Sequence, residues 1–183
     1  MNLFEYSGRK ESLSSSPLST RMRPKSLDEF IGQEHILGKG KALYNLVENK
    51  TIPSMIFWGG PGTGKTTLAK IIAQKSNMNF RSLSAVSSGL ADIRKISDEV
   101  IFQRSTSSKK TILFLDEIHR FSKSQQDSLL PLIEEGILIL IGATTEHPGF
   151  SIINPLISRV KIFKFNPHNE ESINIILNKT IRN

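Results

Sequence analysis

At 183 residues, 38% hydrophobic and without cysteine, the chain is long enough to bury one core as a single domain, and it excludes disulfide frameworks, thiolate metal sites and cysteine nucleophiles. Its 24 basic and 17 acidic side chains leave a formal charge of +7, which is compatible with a polyanionic partner and equally with a solvated basic surface. The start, Met1 to Tyr6, lacks the apolar segment of a signal peptide, and the longest apolar run, Ile137 to Ile141, is strand-sized, so a soluble cytoplasmic protein without membrane contact is expected.

Residues 1–20 carry Ser7, Ser12, Ser14, Ser15, Ser16 and Ser19 with little apolar content and are expected to form a mobile lead-in. The basic residues Arg21, Arg23 and Lys25 come next, within a segment running to Glu34 that can wrap an adenine, and a helix is predicted from about Leu43 to Glu48. The apolar run Ser54 to Trp58 predicts a strand. It feeds Gly59-Gly60-Pro61-Gly62-Thr63-Gly64-Lys65-Thr66, which fits G-x-x-x-x-G-K-[ST], and Thr67 leads on into a helix with Leu68, Ile71 and Ile72 on its inner face. This is a phosphate-binding loop between a strand and a helix. Its glycines let the backbone turn so that several N–H groups aim at phosphate oxygens, and the helix adds its positive N-terminus. Lys65 then reaches the β- and γ-phosphates of ATP, Thr66 offers its hydroxyl to Mg2+, and Gly59 to Thr67 form the nucleotide-binding stretch.

Asn79 to Leu83 reads as a short strand, and Ala91 to about Arg104 as a helix with Ile93, Ile96 and Val100 inward. The continuous apolar run Thr111 to Leu115 ends in Asp116 and Glu117, the pattern of a strand covered on both faces of a parallel sheet with two carboxylates at its C-terminal edge. It reads as a Walker B motif, with Asp116 holding Mg2+ and Glu117 polarising the attacking water. His119 is expected to be a hydrogen-bonded structural residue without a catalytic role. Ser122 to Ile133 predicts one helix kinked at Pro131 and closed by Glu135-Gly136. Ile137 to Gly142 predicts another buried strand, and Ala143-Thr144-Thr145 after it brings a hydroxyl near the γ-phosphate. A short helix through Pro155 to Ile157 delivers Ser158-Arg159, and Val160 to Phe165 is the last strand.

In this order, the phosphate loop, the Asp-Glu strand end, the strand ending Gly-Ala-Thr-Thr and the later Ser-Arg resemble the AAA+ ATPases of the clamp-loader group. Arg-Met-Arg-Pro with Leu-Asp-Glu-Phe-Ile-Gly-Gln-Glu-His (21–35), Asp-Glu-Ile-His-Arg-Phe with Lys-Ser-Gln-Gln-Asp (116–127) and Ile-Gly-Ala-Thr-Thr-Glu (141–146) narrow the resemblance. They are similar to the replication-associated recombination protein A family, relatives of the Werner-helicase-interacting protein. The similarity runs over roughly residues 17–168.

The resemblance implies an α/β P-loop core over residues 21–167, with a five-stranded parallel sheet in the order 5-1-4-3-2, and the start of a helical lid over 168–183. It implies a DNA-dependent ATPase acting in replication-fork maintenance, recombination and repair, working as a homo-oligomer on single-stranded or forked DNA beside other replication proteins. By the same resemblance Thr145 is a sensor of the γ-phosphate, and Arg159 a finger reaching a neighbouring subunit's nucleotide. Ile31 and Gly32 line the adenine pocket, and Ser84 restrains Glu117 until DNA binds. Three features depart from the family: Gly60 stands where proline is usual, His147 and Gly149 replace asparagine and serine, and the chain stops inside the lid, before its second sensor arginine. Alternatives are a clamp-loader or Holliday-junction motor subunit, or a truncated nucleotide-binding module with little turnover.

Overall fold

The computed structural model describes residues 17–181, so residues 1–16 of the expected lead-in lie outside it; Leu18–Arg21 forms one helical turn, α1. Five strands build one parallel sheet: β1 (Met55–Trp58), β2 (Asn79–Ser84), β3 (Thr111–Asp116), β4 (Ile139–Thr144) and β5 (Lys161–Lys164). Their order is β2-β3-β4-β1-β5, which from the other edge is the expected 5-1-4-3-2. The central strands are buried on both faces because their alternate residues are all apolar. Ile112 and Phe114 of β3 face one layer while Leu113 and Leu115 face the other.

The first layer packs α3 (Ala42–Glu48) through Leu43 and Val47, and α4 (Lys65–Lys75) through Leu68 and Ile72, against Met55, Phe57, Ile141 and Ala143. The short helix α2 (Glu34–Leu37) precedes them. The second layer packs α5 (Leu90–Thr106) through the predicted Ile93, Ile96 and Val100, together with the segment 118–160, against Ile56 and Leu140. Each layer buries well over five large apolar side chains, and at about 1.5–3 kcal/mol apiece these two clusters are the main favourable term holding the fold.

Two expectations are corrected. Residues 122–133 form two helices, α6 (Lys123–Asp127) and α7 (Leu130–Glu134), in place of one kinked helix. Pro131 has no N–H, and its ring collides with the carbonyl of the residue four back, Asp127, so the ladder stops there and Pro131 sits in the first turn of a new helix. The fourth strand runs Ile139–Thr144, two residues later than expected. Gly136 turns at φ 62 and the Leu138 N–H donates to the Leu132 carbonyl, tying 137–138 to α7, while Thr144 pairs with Trp58.

Two short helices, α8 (Pro148–Ser151) and α9 (Asn154–Ile157), lead to β5. The last helix, α10 (Glu170–Ile181), opens where Asn169 Oδ1 accepts the Ser172 N–H at 2.9 Å. Its Ile173, Leu177 and Ile181 are exposed by 45, 52 and 81%.

Candidate nucleotide site

β1 and β4 are central strands, and the chain leaves both at the same edge of the sheet, where β3 also ends. Functional loops gather at such an edge. The loop 59–64 joins β1 to α4, and two of its glycines are needed for different reasons. Gly59 lies so close to the chain after β5 that a Cβ there would meet the Phe165 carbonyl oxygen at 2.4 Å. Gly64 takes φ 93, and a Cβ on it would meet the Phe30 ring at 2.6 Å. Nothing lies within 4 Å of a Cβ at Gly60, so its departure from the family pattern strains nothing. The Thr63 hydroxyl donates to the Gly60 carbonyl at 2.9 Å, and the buried amide of Gln33 reaches Thr63 O at 3.5 Å and Asn166 O at 2.7 Å. Gln33 thereby joins the loop, the pre-loop segment and the chain leading to α10.

Lys65 opens α4, is 8% exposed, and donates from Nζ to the Gly59 and Gly60 carbonyls, each at 2.7 Å. Burial lowers the pKa of its ammonium, opposed by the negative charges of Glu117 and Asp116. Asp116 shows the converse: burial and then the Glu117 charge raise its pKa, against the Glu117 backbone N–H and Lys65. One lysine and two carboxylates thus share a partly desolvated space at the head of α4, whose first N–H groups have no partner within the helix. The mutual repulsion of Asp116 and Glu117 is what a divalent cation relieves. Asp116, with the Thr66 hydroxyl from the first turn of α4, is a donor set that fits Mg2+.

Glu117 is one of four non-glycine residues with positive φ among those described, at φ 53 and ψ 46. This left-handed step starts the 3-10 turn Ile118–Arg120 and returns His119 to the strand end. His119 Nδ1 lies 3.2 Å from Glu117 Oε2 and 3.1 Å from Thr144 Oγ1. The Thr145 hydroxyl is 3.5 Å from the same Glu117 oxygen, so the structure brings Thr145, Glu117 and Asp116 together. Ser84 pairs in register with Asp116, but the groups that meet the Glu117 carboxylate are those of His119 and Thr145.

A cavity of about 680 Å3 opens beside the loop between Arg21, Met22, Phe30, Ile31, Thr67 and Ile176. Ile31 lines it, whereas Gly32 faces a smaller cleft of about 180 Å3 with Gln33 and His168. Arg159 stands apart from this cluster. Its guanidinium pairs with Glu134 and donates to Pro155 O at 2.9 Å and Ser158 Oγ at 3.0 Å. His147 supplies its own helix cap, its Nδ1 accepting the Gly149 N–H at 3.1 Å, so the replacement of asparagine keeps the turn. Buried Gln126, within the Lys-Ser-Gln-Gln-Asp stretch, donates to Phe121 O and Ser151 O and accepts the Ile153 N–H. It holds the path from β4 to Arg159. Gln33 and Gln126 carry no residue-type signal for these roles, since a glutamine reads as surface until its partners are known.

Residues 55–167, more than half of the chain, match the family described as ATPase family associated with various cellular activities (AAA). The chain belongs to the AAA family of ATPases. It is 52% identical over 147 residues to the Haemophilus influenzae replication-associated recombination protein A, covering 80% of this chain and 33% of that protein. To the Dictyostelium discoideum ATPase WRNIP1 it is 47% identical over 182 residues, covering 98% of this chain and 20% of that one. The chain thus spans a third or less of these two relatives. Among solved structures, the Thermotoga maritima RuvB Holliday junction branch migration motor superposes with a TM-score of 0.68 at 31% identity, over 86% of this chain and 53% of that chain. The AAA chain therefore carries the resemblance drawn from its motifs. Among its described residues, no helix is long and apolar enough to cross a membrane.

Proposed function

We propose that this AAA chain is the ATP-binding core of a DNA-dependent ATPase of the clamp-loader group, acting in replication-fork maintenance, recombination and repair. The observation that carries the reading is the meeting of Lys65, Asp116 and Glu117 at the head of α4, where Lys65 feels both carboxylates. The Gly59 to Thr67 stretch is the Walker A cradle. Lys65, held on two loop carbonyls, transfers its N–H donors to the β- and γ-phosphates. Ile31 and the neighbouring wall of the 680 Å3 cavity accept the base, with Gly32 shaping the turn behind it.

Thr66 and Asp116 would hold Mg2+, which supplies charge neutralisation on the phosphates when bound. Glu117 accepts a proton from water as the water oxygen bonds to the γ-phosphorus and the bond to the bridging oxygen breaks, giving ADP and phosphate. Both contacts to the Glu117 carboxylate fall on Oε2, which leaves Oε1 for that proton. Thr145, beside the same carboxylate, reports the γ-phosphate, and Arg159 acts across a subunit boundary in a cytoplasmic homo-oligomer on DNA, beside replication proteins.

The relatives named for replication-associated recombination, at up to 52% identity, favour this over a Holliday-junction motor, which the 31% identity to RuvB supports less. A second reading has its own observation. The exposed apolar side chains of α10 support the alternative of a nucleotide-binding module with slow turnover. Single-turnover ATP hydrolysis by this chain and by the full-length protein, with and without single-stranded and forked DNA, tests these readings. DNA stimulation in the full-length protein is expected, and absence of hydrolysis there refutes the enzymatic reading.

A further inference from the structure

The side chain of His119 is only 6% exposed, and it sits between Glu117, which the proposed reaction uses, and the end of β4. Its Nδ1 is 3.2 Å from Glu117 Oε2 and 3.1 Å from Thr144 Oγ1, and its Nε2 is 3.7 Å from Glu146 Oε1. A hydrogen on Nδ1 suits both neighbours of that nitrogen. An ionised carboxylate only accepts, so the ring nitrogen facing Glu117 carries a hydrogen. Thr144 has one hydroxyl hydrogen, directed to the Glu146 carbonyl at 3.2 Å, while its oxygen accepts the Glu146 N–H at 3.0 Å. With that hydrogen so directed, its oxygen accepts from His119 Nδ1. A hydrogen on Nδ1 therefore bonds to Thr144 Oγ1 at the end of β4 and lies against the base carboxylate, whose Oε2 is 3.2 Å from the ring nitrogen.

The backbone is arranged for this contact. Glu117 occupies the left-handed region, which is strained for a residue with a Cβ. That step swings the 3-10 turn back, and Ile118, fully buried, anchors it. Thr144 is itself fully buried and continues into Thr145, whose hydroxyl is the other group near Glu117 Oε2.

We infer that His119 is a positioning residue: its ring, bonded through Nδ1 to Thr144 Oγ1, lies against one oxygen of Glu117 and couples that carboxylate to the Thr144–Glu146 turn, so that Oε1 is presented to the attacking water. This rests on the reading of Glu117 as the base. Without the contact the carboxylate gains rotamer freedom, and misplacement of a reacting group by about 1 Å lowers rate on the order of 100-fold. Nucleotide affinity does not depend on that orientation.

The test uses His119→Ala, His119→Asn and His119→Gln in the full-length protein. An asparagine amide places an N–H donor where Nδ1 stands, and a glutamine amide places it where Nε2 stands. In His119→Ala, kcat is expected to fall about 10- to 100-fold while ATP affinity stays within about twofold. His119→Asn restores most of the rate and His119→Gln does not. In a Glu117→Gln background His119→Ala should lower the residual rate no further. Equal rates for the asparagine and glutamine variants, or full activity of His119→Ala, overturn the inference while leaving Glu117 as the base. Full activity of Glu117→Gln overturns both.

Nitrogen-15 spectra of the histidine rings in this chain, assigned by loss of one signal in His119→Asn, give a readout that does not need turnover. A protonated Nδ1 on His119 is expected, and an unprotonated Nδ1 contradicts the proposal even if the alanine variant fails to fold.

Discussion

The guanidinium of Arg159 is paired with the carboxylate of Glu134 from the same chain, and both side chains are substantially exposed, by 40 and 47%. An exposed pair of this kind is worth about 0–1 kcal/mol, so it orients Arg159 without locking it. Gln126 fixes the segment that precedes it through three bonds to 121, 151 and 153. Arg159 is thus a lightly held arginine at the end of a well-held path. If it serves a neighbouring subunit, Arg159→Ala should lower turnover of the assembled full-length protein by about a thousandfold, as removal of other arginine fingers does, with monomer nucleotide affinity unchanged. Mixing Arg159→Ala with Glu117→Gln subunits should then recover some activity, and no recovery contradicts the role in trans.

Asp116 offers a test through stability. Its folded pKa is raised, first by burial and then by Glu117, so the ionised form is disfavoured by folding. The stabilising contribution of the protonated form is full below the ordinary value of 3.8 and is lost as pH rises through the folded value. Asp116→Asn should therefore raise the melting temperature of the nucleotide-free chain by a few degrees at pH 7, with the gain shrinking toward pH 4. The same substitution should remove the increase in melting temperature that Mg2+ with ATP gives the parent chain. A loss of stability at pH 7 contradicts this reading of the site.

Gly64 probes the cradle. At φ 93, with the Phe30 ring 2.6 Å from where a Cβ would stand, Gly64→Ala combines backbone strain with a collision and should cost about 1–3 kcal/mol. Gly60→Ala, with nothing within 4 Å and no positive φ, should change stability by less than about 0.5 kcal/mol. Thermal melts of the two variants check the contrast, and equal effects refute the account of the loop.

The three inner strands of the sheet were legible because β1, β3 and β4 are largely apolar runs of strand length. Thr111 to Leu115 and Ser54 to Trp58 need no tertiary information to be read as buried strands, and Asp116 and Glu117 declare themselves by following one of them. The break between α6 and α7 is not legible because a proline can kink a helix or open a fresh one, and that Pro131 does the latter shows only in the structure. The return of His119 to Glu117 depends on the left-handed backbone of Glu117, which a glutamate does not advertise. Gln33 was hidden for a similar reason, since its partners Thr63 and Asn166 lie 30 and 133 residues away.

On the proposed function, Lys65 and Glu117 serve different steps at one site. Lys65, which donates to the Gly59 and Gly60 carbonyls, would contribute to ground-state binding, and Glu117 would act on the water. The deciding measurement is ATP binding by titration, paired with single-turnover hydrolysis, on Lys65→Ala and Glu117→Gln. The account predicts that Lys65→Ala abolishes ATP binding while Glu117→Gln binds ATP like the parent and stalls before hydrolysis. Equal loss of ATP affinity in both variants, or hydrolysis by Glu117→Gln at the parent rate, would contradict it.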